Sequence, residues 1–288
     1  RFLTETSPQL AKMSTRTFVR RRALARGGIL HGLYVPQCIA RATGLTEAEI
    51  PMDVFRVHAA LYSCVIIVDD ILDGVLDKTC ISEIVAIHLR YCAENLPASQ
   101  SNWLSAAEAY SVKWLAFEER LRRDASGAVS SDELAAKCSL LAGTIDAFGI
   151  CCPNIKHLEP VYSWIDAGVC ANAMADDIDD VVEDLAARSK TSFFLRLIRR
   201  KLALSVHVDL TAGDLRAALS GGELLTEYVS DLRRHLNFAA QRFPKATDTG
   251  FGDFIKLLAQ GVRRLETDIA GDTAISRILS GTRFFAST

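Results

Sequence analysis

A largely apolar stretch from Val57 to Val68, VHAALYSCVIIV, ends on acid: Asp69, Asp70, Asp73 and Asp77 follow within the next nine residues. Sequence of that kind asks to be buried, and a carboxylate carried into an interior without partners is costly. The acid must therefore meet solvent, cationic side chains or a metal ion. On a helix, residues four apart differ by only about 40° in direction, so Asp69, Asp73 and Asp77 form one stripe, and Asp70 is turned about 100° from Asp69.

The rest of the chain also reads as helix. Ala, Leu, Glu, Arg and Lys fill the periodic segments, while Pro and Gly fall between them. Long helices are predicted near 52–76, 101–124, 131–150, 158–187 and 222–242, with capping boxes at Thr46–Glu49, Ser130–Glu133 and Ser220–Glu223. No strand pattern, linker or short repeat interrupts them, so the expectation is an all-α, single-domain fold over residues 1–288.

Composition narrows the function classes. At 49% hydrophobic residues the chain can bury a large core, and a net charge of −2 without a basic patch beyond Arg20–Arg22 excludes nucleic acid as an expected partner. Eight cysteines in mostly apolar surroundings, without a Cys-x-x-Cys pair, read as free thiols of a cytoplasmic protein. No apolar run is read as reaching the roughly 18–20 residues of a transmembrane segment.

The acid has an echo. In ADDIDDVVED, Asp176, Asp180 and Asp184 again form one stripe, flanked by Asp177 and Asp179. Mg²⁺ prefers oxygen ligands and is typically held by one or two carboxylates together with substrate phosphates, so two such rows suit a diphosphate clamp. A single acidic row is more often a solvated helix face. Two rows, each ending a helix that looks buried on several sides, favour metal.

The paired Asp-Asp-x-x-Asp segments at 69–73 and 176–180, each on a long helix of an all-α chain, resemble those of the trans-isoprenyl diphosphate synthases and related class I terpene synthases. The resemblance runs from about Gly27 to Leu197. It implies an antiparallel bundle around a central active-site cavity and a homodimer. It also implies three Mg²⁺ ions per site and ionisation of a prenyl diphosphate substrate. Asp69, Asp70, Asp73, Asp176, Asp177 and Asp180 would then be catalytic, with Asp69, Asp73, Asp176 and Asp180 as the primary metal ligands. Lys137 stands where the family places a Lys-Thr pair, although Cys138 replaces the Thr, and Arg188 and Lys190 follow the second row where a basic residue approaches the phosphates. Leu61, Cys64, Val65 and Phe148 are the candidate pocket residues, with plain core packing as the alternative for Cys64, Val65 and Phe148.

The departures bear on the reaction. Where chain-elongating members carry Gly-Gly-Lys-Arg-x-Arg for isopentenyl diphosphate, this chain reads Gly27-Gly28-Ile29-Leu30-His31-Gly32. Ile29 and Leu30 cannot compensate the desolvation of a diphosphate. The Arg-Arg-Gly after the first row is reduced to Lys78-Thr79-Cys80, and Ala173 replaces a Gln before the second. The expectation is a terpene synthase that cyclises or quenches one prenyl diphosphate, such as farnesyl or geranylgeranyl diphosphate. The alternative is a prenyltransferase to an acceptor, one other than isopentenyl diphosphate before chain elongation itself. A non-catalytic partner protein is a third reading, which two retained rows of mutually repelling charge oppose.

Overall fold

A computed structural model describes residues 35–72, 80–97, 101–123, 129–156, 158–189, 191–205, 208–242 and 250–285. The described residues are helical with no strand, as the patterning predicts. They fall into two compact units interleaved along the chain, and each is described by itself.

Of the described residues, the first unit takes in those up to Trp114, those within Cys138–Ser163, and Gly250 and Phe251. It holds α1 (35–42), α2 (Met52–Leu72), α3 (Ile81–Glu94), the first part of α4 (Ser101–Arg123) and α5 (Ala142–Cys151). Val54, Val57, Leu61, Cys64 and Val68 are buried at alternating spacings of three and four, so α2 offers a continuous apolar face to α3 and α5. Gly143 lets α5 approach closely, because a Cβ there would stand 3.0 Å from Leu61 Cδ1. Polar groups in this interior find partners across it: His58 Nδ1 lies 2.8 Å from Thr144 Oγ1, and Trp103 Nε1 donates to the Gly143 carbonyl at 2.8 Å.

The second unit comprises Leu115–Lys137, Trp164–Arg242 and Gly252 onward. It contains most of α6 (Glu159–Asp179), then α7 (Val181–Ala186), α8 (Phe193–Lys201), α9 (Ala212–Leu219), α10 (Glu223–Arg242), all but the first two residues of α11 (Gly250–Ala270), and α12 (Ala274–Leu279). Leu225, Tyr228, Val229, Leu232 and Leu236 form the buried face of α10. Tyr228 is packed edge-on against Phe194 at 4.8 Å, and its hydroxyl donates to the Met174 carbonyl at 2.9 Å.

Several local expectations need correction. The segment predicted as one helix over 131–150 is a 3-10 helix, Ser131–Leu141, followed by α5, because Cys138 has non-helical angles (φ −125°, ψ 24°). This same stretch, Ser131–Cys151, reaches the length and apolar composition of a membrane-crossing helix, contrary to the expectation that none would. It is broken at Cys138 and more than half buried, so it reads as a core segment. The segment predicted over 158–187 breaks at Asp180 into α6 and α7. The boxes at Thr46–Glu49 and Ser130–Glu133 form by half: each Glu accepts the backbone N–H three residues earlier, at 2.7 and 2.8 Å, but the hydroxyls donate to the same carboxylates instead of accepting the Glu N–H, which goes to the Thr46 or Ser130 carbonyl. Ser220 instead ends α9 and donates to the Ala217 carbonyl, while the box that starts α9 is Thr211–Asp214. Asp can take the place of Glu because its shorter carboxylate still reaches the Thr211 N–H at 2.8 Å.

The chain ends, within the described residues, on a segment laid over α11. Phe284 is buried, and the Phe285 ring lies against the bare backbone of Gly261. A Cβ at Gly261 would collide with that ring and stand 2.8 Å from the Phe284 carbonyl. Gly261→Ala is therefore expected to destabilise the protein by about 1–3 kcal/mol, read as a lowered urea midpoint with an unchanged slope.

Candidate functional site: the acidic rows

Each row is positioned by the end of a helix whose preceding turns are core. Ile66, Ile67 and Val68 are buried one turn before Asp69, which keeps partial exposure near the end of α2. The side chain of Asp70, residues Asp73 and Asp77 and the Lys78-Thr79 segment lie outside the described residues, as do Lys190 and the stretch 27–32. The first row is thus represented by Asp69 alone.

The second row is described in full. The chain leaves helical geometry at Asp180 (φ −100°, ψ 7°), yet an i to i+4 bond is kept on either side of it. Asp180 N–H donates to the Asp176 carbonyl at 2.9 Å and Asp184 N–H to the Asp180 carbonyl at 2.8 Å. Asp176, Asp180 and Asp184 therefore keep the register of one stripe.

The flanking carboxylates have structural work. Asp177 Oδ2 accepts the Phe194 N–H at 3.0 Å, tying the row to the first turn of α8, whose N-cap Ser192 accepts from Leu195 N–H. Asp179 accepts the backbone N–H groups of Phe284, at 2.6 Å, and Phe285, at 3.0 Å. The catalytic role expected for Asp177 competes with this hydrogen bond.

Charge crowding perturbs the row. Burial pushes the Asp177 carboxyl up to about 7; Lys137 and the Phe194 N–H pull against that, while Asp184 and Asp176 add to it. The residue keeps some exposed surface, but its carboxylate is enclosed by protein, and enclosure governs the shift. Asp180 is pushed up to about 6, by burial first and then by Asp176, against the pull of Arg283. Asp184 is raised by burial, with Ser192 and Lys137 opposing and Asp176 and Glu183 reinforcing.

Of the basic candidates, Lys137 is half-buried and near enough to Asp177 and Asp184 to stabilise both anions, so the structure brings it to the row. Arg188 is turned to another task. It occupies a left-handed position (φ +56°) in the six-residue hydrogen-bonded turn that ends α7, and its guanidinium pairs with Asp209 at 3.0 Å. Arg199, absent from the sequence expectations, reaches the Ser189 carbonyl with both terminal nitrogens at 3.3 Å and braces this turn. Arg283 was likewise not foreseen: it pairs with Asp180 at 3.2 Å and Glu183 at 2.9 Å. No local signal marks an arginine about a hundred residues downstream as a partner of the row.

The pocket candidates belong to the first unit. Leu61, Cys64 and Phe148 are fully buried, Leu61 beside Gly143 and Cys64 beside Cys92, whereas Val65 keeps partial exposure. Burial raises the Cys64 and Cys92 thiols well above their ordinary range, so both are inert.

Among the described residues no group of three or more His, Cys, Asp or Glu side chains is placed to hold a metal ion by itself. The donor chemistry of the stripe is nevertheless all oxygen, the kind a hard cation shares with a phosphate ligand: Asp177 and Asp179 are engaged by N–H groups, while Asp180 meets Arg283 and Asp184 meets Ser192 through side chains that a cation can replace. No family model matches the chain, and no curated protein or solved structure is found similar to it.

The raised carboxyls set a pH dependence. Between about pH 4 and 7 the folded chain holds a proton on Asp177 that the unfolded chain has released, so this group's contribution to stability declines as pH rises through that window and is constant above it. Asp177→Asn, which keeps an acceptor for Phe194 N–H, is expected to be more stable than the parent at pH 8 and close to it at pH 5. Urea unfolding at both values in metal-free buffer checks this; a pH-independent difference would contradict it.

Proposed function

We propose that the chain is a Mg²⁺-dependent enzyme of the class I terpene synthase type, which ionises an allylic prenyl diphosphate and converts the prenyl group to a terpene. The observation that carries the reading is the second row, where Asp176, Asp180 and Asp184 stay in one register and crowd one another's charge at the end of a core helix. Such repulsion costs stability and is relieved by a cation, which gives the row a use that a solvated face would not have. Asp69 at the end of α2 repeats the arrangement of an apolar helix ending in carboxylate.

In this reading Asp69 and Asp73 hold metal on one row, and Asp176 and Asp180, with Asp184, on the other. Magnesium, when bound, supplies the positive charge that stabilises the departing diphosphate. Lys137 contributes a further charge for phosphate oxygens, and Asp177 serves by holding α8 to the row. An apolar, dry lining is what steers a carbocation once the diphosphate has left. Val65, one turn before Asp69, is the candidate nearest to the reacting end.

The Gly27–Gly32 stretch, which lacks the basic residues of an isopentenyl diphosphate site, favours a single-substrate reaction or transfer to an uncharged acceptor. The test is incubation of the purified chain with geranyl, farnesyl and geranylgeranyl diphosphates and Mg²⁺, with and without isopentenyl diphosphate, followed by pyrophosphate and product analysis. Cyclic or rearranged hydrocarbon from one substrate alone is the expected outcome. Longer linear diphosphates formed only with isopentenyl diphosphate would replace the reading by chain elongation, and silence in every tube would point to another acceptor or a non-catalytic role.

Asp69→Ala and Asp176→Ala are each expected to lower pyrophosphate release by about a hundredfold or more, with the helical circular dichroism unchanged. Near-parental turnover by either variant would remove that carboxylate from the metal site.

A further inference from the structure

The second acidic row is not bare. Arg283 Nη2 lies 3.2 Å from Asp180 Oδ1 and 2.9 Å from Glu183 Oε1, so a guanidinium already sits on a carboxylate that the proposed reaction assigns to metal. The segment carrying it is fastened by other means. Asp179 accepts both the Phe284 and Phe285 N–H groups, Phe284 is buried with the Arg277 guanidinium over its ring at 5.3 Å, and the Phe285 ring rests on Gly261. None of these anchors uses the Arg283 side chain, which is about half exposed. The guanidinium can therefore leave Asp180 while the segment stays docked.

We propose that residues 282–285 form a strap that presents Arg283 to the second acidic row as a tethered counter-cation, and that a divalent ion engages Asp180 only by displacing it. The inference rests on the reading of that row as a metal site. Both cations draw on the same carboxylate oxygens, and a compact divalent ion beside a guanidinium is repelled by it. A half-exposed arginine–carboxylate pair is weak enough to yield. Occupancy by metal and docking of Arg283 are then reciprocally coupled, each lowering the affinity of the other by the same factor. The strap keeps the row partly neutralised in the metal-free protein and hands Asp180 over when metal arrives.

Mn²⁺ binding to the full chain, followed by the electron paramagnetic resonance signal of the free ion, tests this without reference to turnover. Arg283→Gln removes the charge and leaves the Asp179, Phe284 and Phe285 anchors, and is expected to bind Mn²⁺ about threefold more tightly than the parent. Arg283→Lys is expected to stay close to the parent. In an Asp180→Asn background the Arg283→Gln effect is expected to vanish. Equal or weaker Mn²⁺ binding by Arg283→Gln, with the parent binding normally, would overturn the strap and leave the metal reading standing. No Mn²⁺ binding by any of these proteins would overturn both.

Discussion

Like charges gathered at the end of a helix must be compensated, and the second unit is arranged around how this is done. Asp177 takes the Phe194 N–H, Asp179 takes those of Phe284 and Phe285, Asp184 takes a hydrogen bond from Ser192, and Asp180 takes Arg283. The entry to α8 and the terminal segment are thereby fastened to the same two turns of chain. Hydrogen bonds to carboxylate acceptors are among the stronger ones, so backbone donors organise this end of the unit together with the buried Phe194 and Phe284. Lys137 adds a charge from the 3-10 helix, and Tyr228 closes the cluster on its buried side, its own hydroxyl raised far above the phenolic range by burial and then by Asp177.

The first unit obeys a different constraint. There the apolar face of α2 has to be covered along its whole length, and α3 and α5 cover it, with Gly143 permitting the closest approach. Buried polar groups there include His58, which pairs with Thr144, and Trp103, which donates to the Gly143 carbonyl. A helix anchored this firmly over its first five turns holds Asp69 at a defined height, which is what a charged site at the edge of a core requires.

Much of the helix content was legible because amphipathic periodicity and capping chemistry are local. The boxes at Thr46–Glu49 and Ser130–Glu133 and the long helices of α2, α4 and α10 follow from residues within a few positions of one another. The misreadings share a cause. Cys138 and Asp180 are ordinary residues in otherwise helical sequence, with no Gly or Pro to mark the places where the backbone leaves helical angles. Ser220 looked like a start signal and is a stop, because the preceding α9 claims it first. The acidic stripe of Asp176, Asp180 and Asp184 could be read from spacing alone, whereas the occupation of Asp177 and Asp179 by N–H donors 17 and 105 residues away could not.

By itself, then, the sequence determined the helical class, the register of the second acidic row and the apolar character of the helices that carry both rows, since all three depend on neighbours within one or two turns. Only the tertiary structure decided which carboxylates are tied to backbone N–H groups, that Lys137 joins the second row while Arg188 turns to Asp209, and that Arg283 stands on Asp180. Those outcomes are set by electrostatics and hydrogen bonding across long sequence separations. No local pattern encodes which distant donor will reach a given oxygen.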